Sequence, residues 1–205
     1  MEVYLDNHSG TKIDPQVLES MLPYLKEYYG NPQSLHSLGA KSKQAIEKAR
    51  EQVASLIGAT PQEIYFTSCG SESNNLAIKG IALAYKEKGK HIIVSEIEHF
   101  SVLYSAKRLQ QQGFEVRYLP VDKHGFVSIE DLKKSIRKDT ILVSIQHANP
   151  EIGTIQPIEE IAKVCKEHNI FFHTDAVASC GVIETDVKKL NVDLLSLSGS
   201  QFYGP

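Results

Sequence analysis

Ile92-Ile93-Val94-Ser95-Glu96-Ile97-Glu98-His99-Phe100 joins a short apolar run to a polar turn that carries a histidine just before the next helical pattern. An apolar run of this length, bounded by polar residues, reads as a strand over 91–95 buried on both faces. The same alternation continues on either side. From about residue 39, helices and strands follow one another with short connections, the pattern of a parallel sheet covered by helices on both faces. The fold class is therefore α/β, a mainly parallel sheet sandwiched by helices. The other strand candidates are residues 63–67, 115–119, 141–146, 170–174 and 193–197, rich in Ile, Val, Phe and Tyr and bounded by Gly, Pro or Ser. Parallel neighbours require right-handed crossovers, and ligands of such sheets bind beyond the carboxyl ends of the strands.

Toward the N-terminus the pattern is helical. Asp14 followed by Pro15 predicts a helix start, with Val17, Leu18, Met21, Leu22 and Leu25 on one face, a kink at Pro23 and a stop before Gly30. A second helix is predicted over 39–57, with Ala45, Ile46, Ala49, Val53 and Leu56 as its apolar stripe and Gly58 as terminator. Further helices are expected to open at Ser128, a capping-box-like start, and at Pro157. No linker or repeat divides the chain.

At 205 residues and 41% hydrophobic content there is material for one sizeable core. Lys and Arg number 22 against 25 Asp and Glu, and the resulting charge of −3 is interspersed, which points away from nucleic acid and anionic membranes. No apolar run approaches the roughly 18 to 20 residues of a membrane span, and the start lacks the basic region of a signal peptide. A cytoplasmic location is the default expectation. Cys69, Cys165 and Cys180 are odd in number and form no Cys-x-x-Cys pair, so free thiols are expected rather than disulfides or a zinc site.

Three stretches could carry chemistry. In Phe66-Thr67-Ser68-Cys69-Gly70-Ser71-Glu72-Ser73-Asn74-Asn75 a small-residue turn leads into an apolar helix. Gly70 there lets the backbone approach an anion, Ser71 can cap the helix, and the helical N–H groups favour negative charge. His99 follows a buried strand, and Phe171-Phe172-His173-Thr174-Asp175-Ala176 delivers a carboxylate at a strand end. Taken singly, each has an ordinary reading as a helix cap, a structural histidine or a turn former. No Gly-x-Gly-x-x-Gly or Gly-x4-Gly-Lys-Ser/Thr follows a strand, which points away from a nucleotide-binding domain. The order is more informative: a phosphate-type turn, a histidine after the next strand, an aspartate on a later strand, then Ser198-Gly199-Ser200-Gln201-Phe202-Tyr203-Gly204-Pro205.

That order, with Tyr4-Leu5-Asp6-Asn7, Gly30-Asn31-Pro32-Gln33-Ser34-Leu35-His36 and the stretch from Phe66 to Gly80, resembles the NifS/IscS-type cysteine desulfurases. These are class-V aminotransferases among the fold-type-I pyridoxal phosphate (PLP) enzymes, and the match runs over nearly the whole chain. The resemblance implies an aspartate-aminotransferase-like large domain over 1–205, with an N-terminal helical arm over about 1–38. It implies that Gly70 and Ser71 bind the PLP phosphate, that His99 stacks on the ring and moves protons, and that Asp175 pairs with the pyridinium nitrogen. Ser198 falls on a second phosphate ligand, and Ser200 on a phosphate-binding histidine. Cysteine or another small amino acid as substrate, an iron–sulfur scaffold or sulfur-acceptor protein as partner, and a homodimer are implied in the same way.

The departures carry their own expectation. The lysine that links covalently to PLP is Gln201 here, and an amide nitrogen delocalised into its carbonyl cannot condense with an aldehyde. Pro150 stands where an asparagine bonds the phenolic oxygen, and Ala178 where a glutamine does. By the resemblance, Cys69 and Cys180 take structural positions and are inert. The small C-terminal domain with the nucleophilic cysteine is not in the sequence, so a truncated or split coding sequence is expected. The expectation for this chain is an inactive cysteine-desulfurase-like protein that holds PLP non-covalently or has lost it. The alternative is a silent scaffold in iron–sulfur assembly.

Overall fold

The computed structural model describes residues 1–205. The chain divides into two compact units, Thr67–Ser198 and a second made of Met1–Phe66 with Gly199–Pro205.

Thr67–Ser198 holds a five-stranded sheet of order β2-β1-β3-β4-β5. The strands are β1 (His91–Ser95), β2 (Glu115–Leu119), β3 (Thr140–Ser144), β4 (Phe171–Asp175) and β5 (Leu194–Ser196), and every pairing is parallel. Between them run α4 (Phe100–Gln111), α5 (Ile129–Ser135), α6 (Ile158–Glu167) and α7 (Val187–Leu190), and α3 (Gly70–Ala84) precedes β1. Alternate residues of each strand enter different cores. Ile92, Val94 and Leu142 pack with Ile78 and Ala82 of α3 and with Val102, Ala106 and Leu109 of α4. Ile93, Val143 and Phe172 pack on the other face with Leu132 of α5, Ile158 and Ile161 of α6 and Leu190 of α7. Burial on both faces is why these strands read as continuous apolar runs. The β1 to β2 connection runs in one direction along the sheet and carries its helix on one face. The later connections run the other way and carry theirs on the opposite face, as a single crossover hand requires. The reversal falls between β1 and β3, which makes the carboxyl ends of those strands the switch point of the sheet.

β1 and β2 have their predicted bounds, and β3, β4 and β5 shift by one or two residues. Residues 63–67 are a correction. Pro61–Glu63 form a 3-10 turn closed by the Thr60 N–H and hydroxyl donating to Glu63 Oε2 at 2.7 and 2.8 Å, and the extended residues after it join no ladder. β-propensity alone cannot supply a pairing partner. Ser128 caps α5 by accepting from the Asp131 N–H at 3.2 Å, and Pro157 sits just before α6 rather than in it.

In the second unit α1 is Pro15–Lys26, capped by Asp14, whose carboxylate accepts from the Gln16 N–H at 2.8 Å. The helix continues through Pro23, whose carbonyl accepts from the N–H groups of Glu27 and Tyr28 one turn later. Its apolar face is only partly covered: no residue of α1 is fully buried and Leu25 is 70% exposed. α2, Ser37–Ile57, begins two residues early, with His36 as cap, and ends at Gly58 with φ of 69° as predicted. Its buried apolar positions are Ala54 and Ile57 instead of the predicted stripe, of which Ile46 and Leu56 are exposed. No helix of the chain is long and apolar enough to cross a membrane.

Candidate functional site

Within Thr67–Ser198 the structure gathers the predicted residues at one end of the sheet. Asp175 is the last residue of β4, His99 caps α4 just beyond β1, and Ser198 follows β5. Gly70 opens α3 in the same place: a Cβ built on it would lie 2.7 Å from Val177 Cγ2 and 3.6 Å from Ser198 Cβ. Only glycine leaves that approach open.

Ser71 is a correction to the predicted capping. Cys69 occupies the cap position of α3, and Ser71, one residue inside the helix, is exposed with its hydroxyl free to donate. Glu72 reaches back to accept from the Ser68 N–H at 2.5 Å, which holds its carboxyl below the usual range and closes the turn. Cys69 is a second correction, since it is exposed and not a buried inert thiol. The N–H of Glu72 and the Ser68 hydroxyl bring its thiol below its ordinary value, whereas burial pushes Cys165 up to about 12 and also raises Cys180.

Asp175 is buried, and burial raises its carboxyl, opposed by donated bonds. The Val177 N–H donates to Oδ1 at 3.0 Å and Asn74 Nδ2 to Oδ2 at 2.7 Å. The same Asn74 nitrogen donates to Ser101 Oγ at 2.9 Å, and Ser101 Oγ lies 2.7 Å from His99 Nδ1. Composition and spacing point to neither Asn74 nor Ser101, because their role depends on three elements meeting. A second buried carboxyl, Glu98, accepts through Oε1 from Ser95 Oγ at 2.5 Å and the Gln146 N–H at 2.9 Å. This ties the loop before His99 to the end of β3, across the switch point. Burial pushes Glu98 up to about 8, with Asp175 adding to the rise, so it is neutral at neutral pH, and its Oε2 has no partner.

Pro150 and Ala178 are partly buried at this sheet end. Asn149 before the proline is used structurally: its Oδ1 accepts from the N–H groups of Glu151 and Ile152, and its Nδ2 donates to the Ile97 carbonyl. In the second unit Ser200 and Gln201 lie in the 3-10 turn Gly199–Gln201, where the Ser200 carbonyl accepts from the Thr11 N–H at 2.9 Å.

The residues present fit a PLP group in part. The turn at Gly70, with Ser68, Cys69 and Ser71 exposed around a buried glycine, suits a phosphate, and the buried, doubly bonded Asp175 suits a protonated ring nitrogen. Gln201 does not fit a covalent link. There are no groups of three or more His, Cys, Asp or Glu side chains placed to hold a metal.

Residues 3–205 match the family described as Aminotransferase class-V. Among curated proteins, the chain is 56% identical over 204 residues to "Cysteine desulfurase IscS" of Dictyoglomus turgidum, covering 100% of this chain and 52% of that protein. It is 58% identical over 203 residues to "Cysteine desulfurase IscS" of Methanosarcina thermophila, with 99% and 50% covered. Among solved structures, a "NIFS-LIKE PROTEIN" superposes with a TM-score of 0.97 at 44% identity, covering 100% of this chain and 57% of the other. "SspA in complex with cysteine" does so with a TM-score of 0.96 at 45% identity, covering 100% and 59%. The chain thus spans about half the length of the curated relatives it matches.

Proposed function

As the chain belongs to the class-V aminotransferase family, within which it is homologous to the IscS/NifS cysteine desulfurases, we propose that residues 1–205 are the cofactor-binding large domain of a cysteine-desulfurase-like protein. Residues 1 to about 38 form its N-terminal arm. The domain holds pyridoxal phosphate without a covalent bond. When bound, that group supplies an electron sink for reactions at an amino acid's carbons. Gly70 and Ser71 bind its phosphate, with Ser198 as a further donor. Asp175 holds the ring nitrogen protonated, and His99 stacks on the ring. The observation that carries this reading is Asp175, a carboxylate kept at a buried strand end by two donors.

In a complete protein of this kind the substrate would be cysteine, from which sulfur passes to an iron–sulfur scaffold or other acceptor in the cytoplasm. This chain alone would not release that sulfur, because Gln201 cannot replace the lysine. A homodimer is part of the same reading, and the exposed apolar side chains of α1 and the exposed Phe100–Tyr104 stack favour it.

The test is the visible spectrum of the purified chain with added PLP, followed by borohydride treatment and dialysis. The cofactor should be lost on dialysis with none reduced onto the protein, and Asp175→Ala should abolish what binding there is. Gln201→Lys should restore a cofactor that borohydride fixes in place. PLP reduced onto the unaltered chain at this site, or sulfide released from cysteine by it, would overturn the reading. A silent scaffold is the second reading, favoured by Pro150, which offers no donor, and it gains if the unaltered chain binds no PLP at all.

A further inference from the structure

The hydrogen positions around His99 follow from one bond. The Ser101 backbone N–H points at His99 Nδ1, 3.1 Å away, and a backbone N–H can only donate. Nδ1 is therefore an acceptor. The Ser101 hydroxyl, 2.7 Å from the same nitrogen, must then donate to it as well, and its lone pairs are left to accept. Asn74 Nδ2 fills that role at 2.9 Å while giving its other proton to Asp175 Oδ2 at 2.7 Å. The reversed amide would set Oδ1 against the Asp175 carboxylate, and in the orientation observed Oδ1 is the buried atom without a partner. Every proton in the chain from Asp175 through Asn74 and Ser101 to His99 thus has one place.

We propose that Asn74 and Ser101 are positioning residues that lock neutral His99 in the form protonated on Nε2. With Nδ1 occupied twice and Nε2 carrying the proton, neutral His99 presents a hydrogen-bond donor to the site. The lock ties that state to the carboxylate proposed to face the cofactor's ring nitrogen. What the Nε2 proton serves rests on the proposed cofactor reading, whereas where the proton sits does not.

The test is nitrogen-15 NMR of histidine-labelled chain without added PLP, at a pH where the ring is neutral, with His99→Asn identifying the signal. The unaltered chain should show Nδ1 unprotonated and Nε2 protonated. Ser101→Ala removes one of two donors to Nδ1 and should raise the other tautomer by roughly three- to tenfold, the equilibrium worth of one hydrogen bond. Ser101→Thr, which keeps the hydroxyl, should restore the original signal. Asn74→Ala frees the Ser101 hydroxyl to turn and should shift the signal in the same direction. A protonated Nδ1 in the unaltered chain, or a Ser101→Ala spectrum identical to it, overturns the proposal. A chain that binds no PLP but shows the locked histidine overturns the cofactor reading alone.

Discussion

Glu98 and Asp175 are buried carboxyls at the same end of the sheet, and their partners divide them. Asp175 receives an amide and a backbone N–H, whereas Glu98 receives two donors on one oxygen and none on the other. The folded Glu98 keeps its proton up to about 8 against an ordinary 4.5, so the stability it contributes is full below 4.5 and is lost as pH rises through 8. Glu98→Gln should remove that loss and make the chain more stable above pH 8 by a few kcal/mol in urea melts. Cys69 should be the first thiol alkylated by iodoacetamide in the folded chain, as mass spectrometry would record, with Cys165 and Cys180 modified only on unfolding. Gly70→Ala should cost about 1 to 3 kcal/mol through the clash with Val177, and Val177→Ala should relieve most of it. The sequence marked Gly70, His99 and Asp175 through their positions after strands and turns. It did not mark Asn74, Ser101 or Glu98, because polar side chains on a helix or in a loop look solvated until another element buries them.

At the scale of the element, β4 shows how the sheet secures a polar residue in its centre. His173 is fully buried, with Nδ1 2.8 Å from Ser144 Oγ on β3 and Nε2 3.0 Å from Ser196 Oγ on β5. Both ring nitrogens are satisfied across three strands, and burial lowers its pKa to about 3. The stability this neutral ring contributes is present above 6.5 and is lost as pH falls toward 3, since the unfolded chain binds the proton first. His173→Gln should flatten that acid limb in denaturant melts, at a constant packing cost. For α5, Ser128→Ala should cost about 1 kcal/mol by leaving the Asp131 N–H without its acceptor. The bounds of β1 were legible because its β-branched run ends in a polar turn, and those of β2 because Gly113 and Pro120 bracket it. Residues 63–67 have similar composition and no ladder, which only the presence or absence of a neighbouring strand can decide.

Over the whole molecule, the alternating pattern from residue 39 onward determined the α/β class, the parallel sheet and the burial of its central strands β1, β3 and β4 on both faces. Strand periodicity and turn chemistry are local and survive in any context that completes the sheet. Motif order was equally legible, and so was the loss of the lysine at Gln201, since chemical identity needs no fold to be read. Tertiary structure alone decided the strand order, with its switch point between β1 and β3, and which side chains meet there. It also decided that no residue of the apolar stripe of α1 becomes fully buried within this chain, although periodicity places those residues on one face. The reason is physical: a side chain's hydrophobicity states what it would gain by burial, but its surroundings determine whether burial occurs. The proton order from Asp175 to His99 belongs to the same class, because Asn74 joins partners 27 and 101 residues away in sequence that meet it only in the fold.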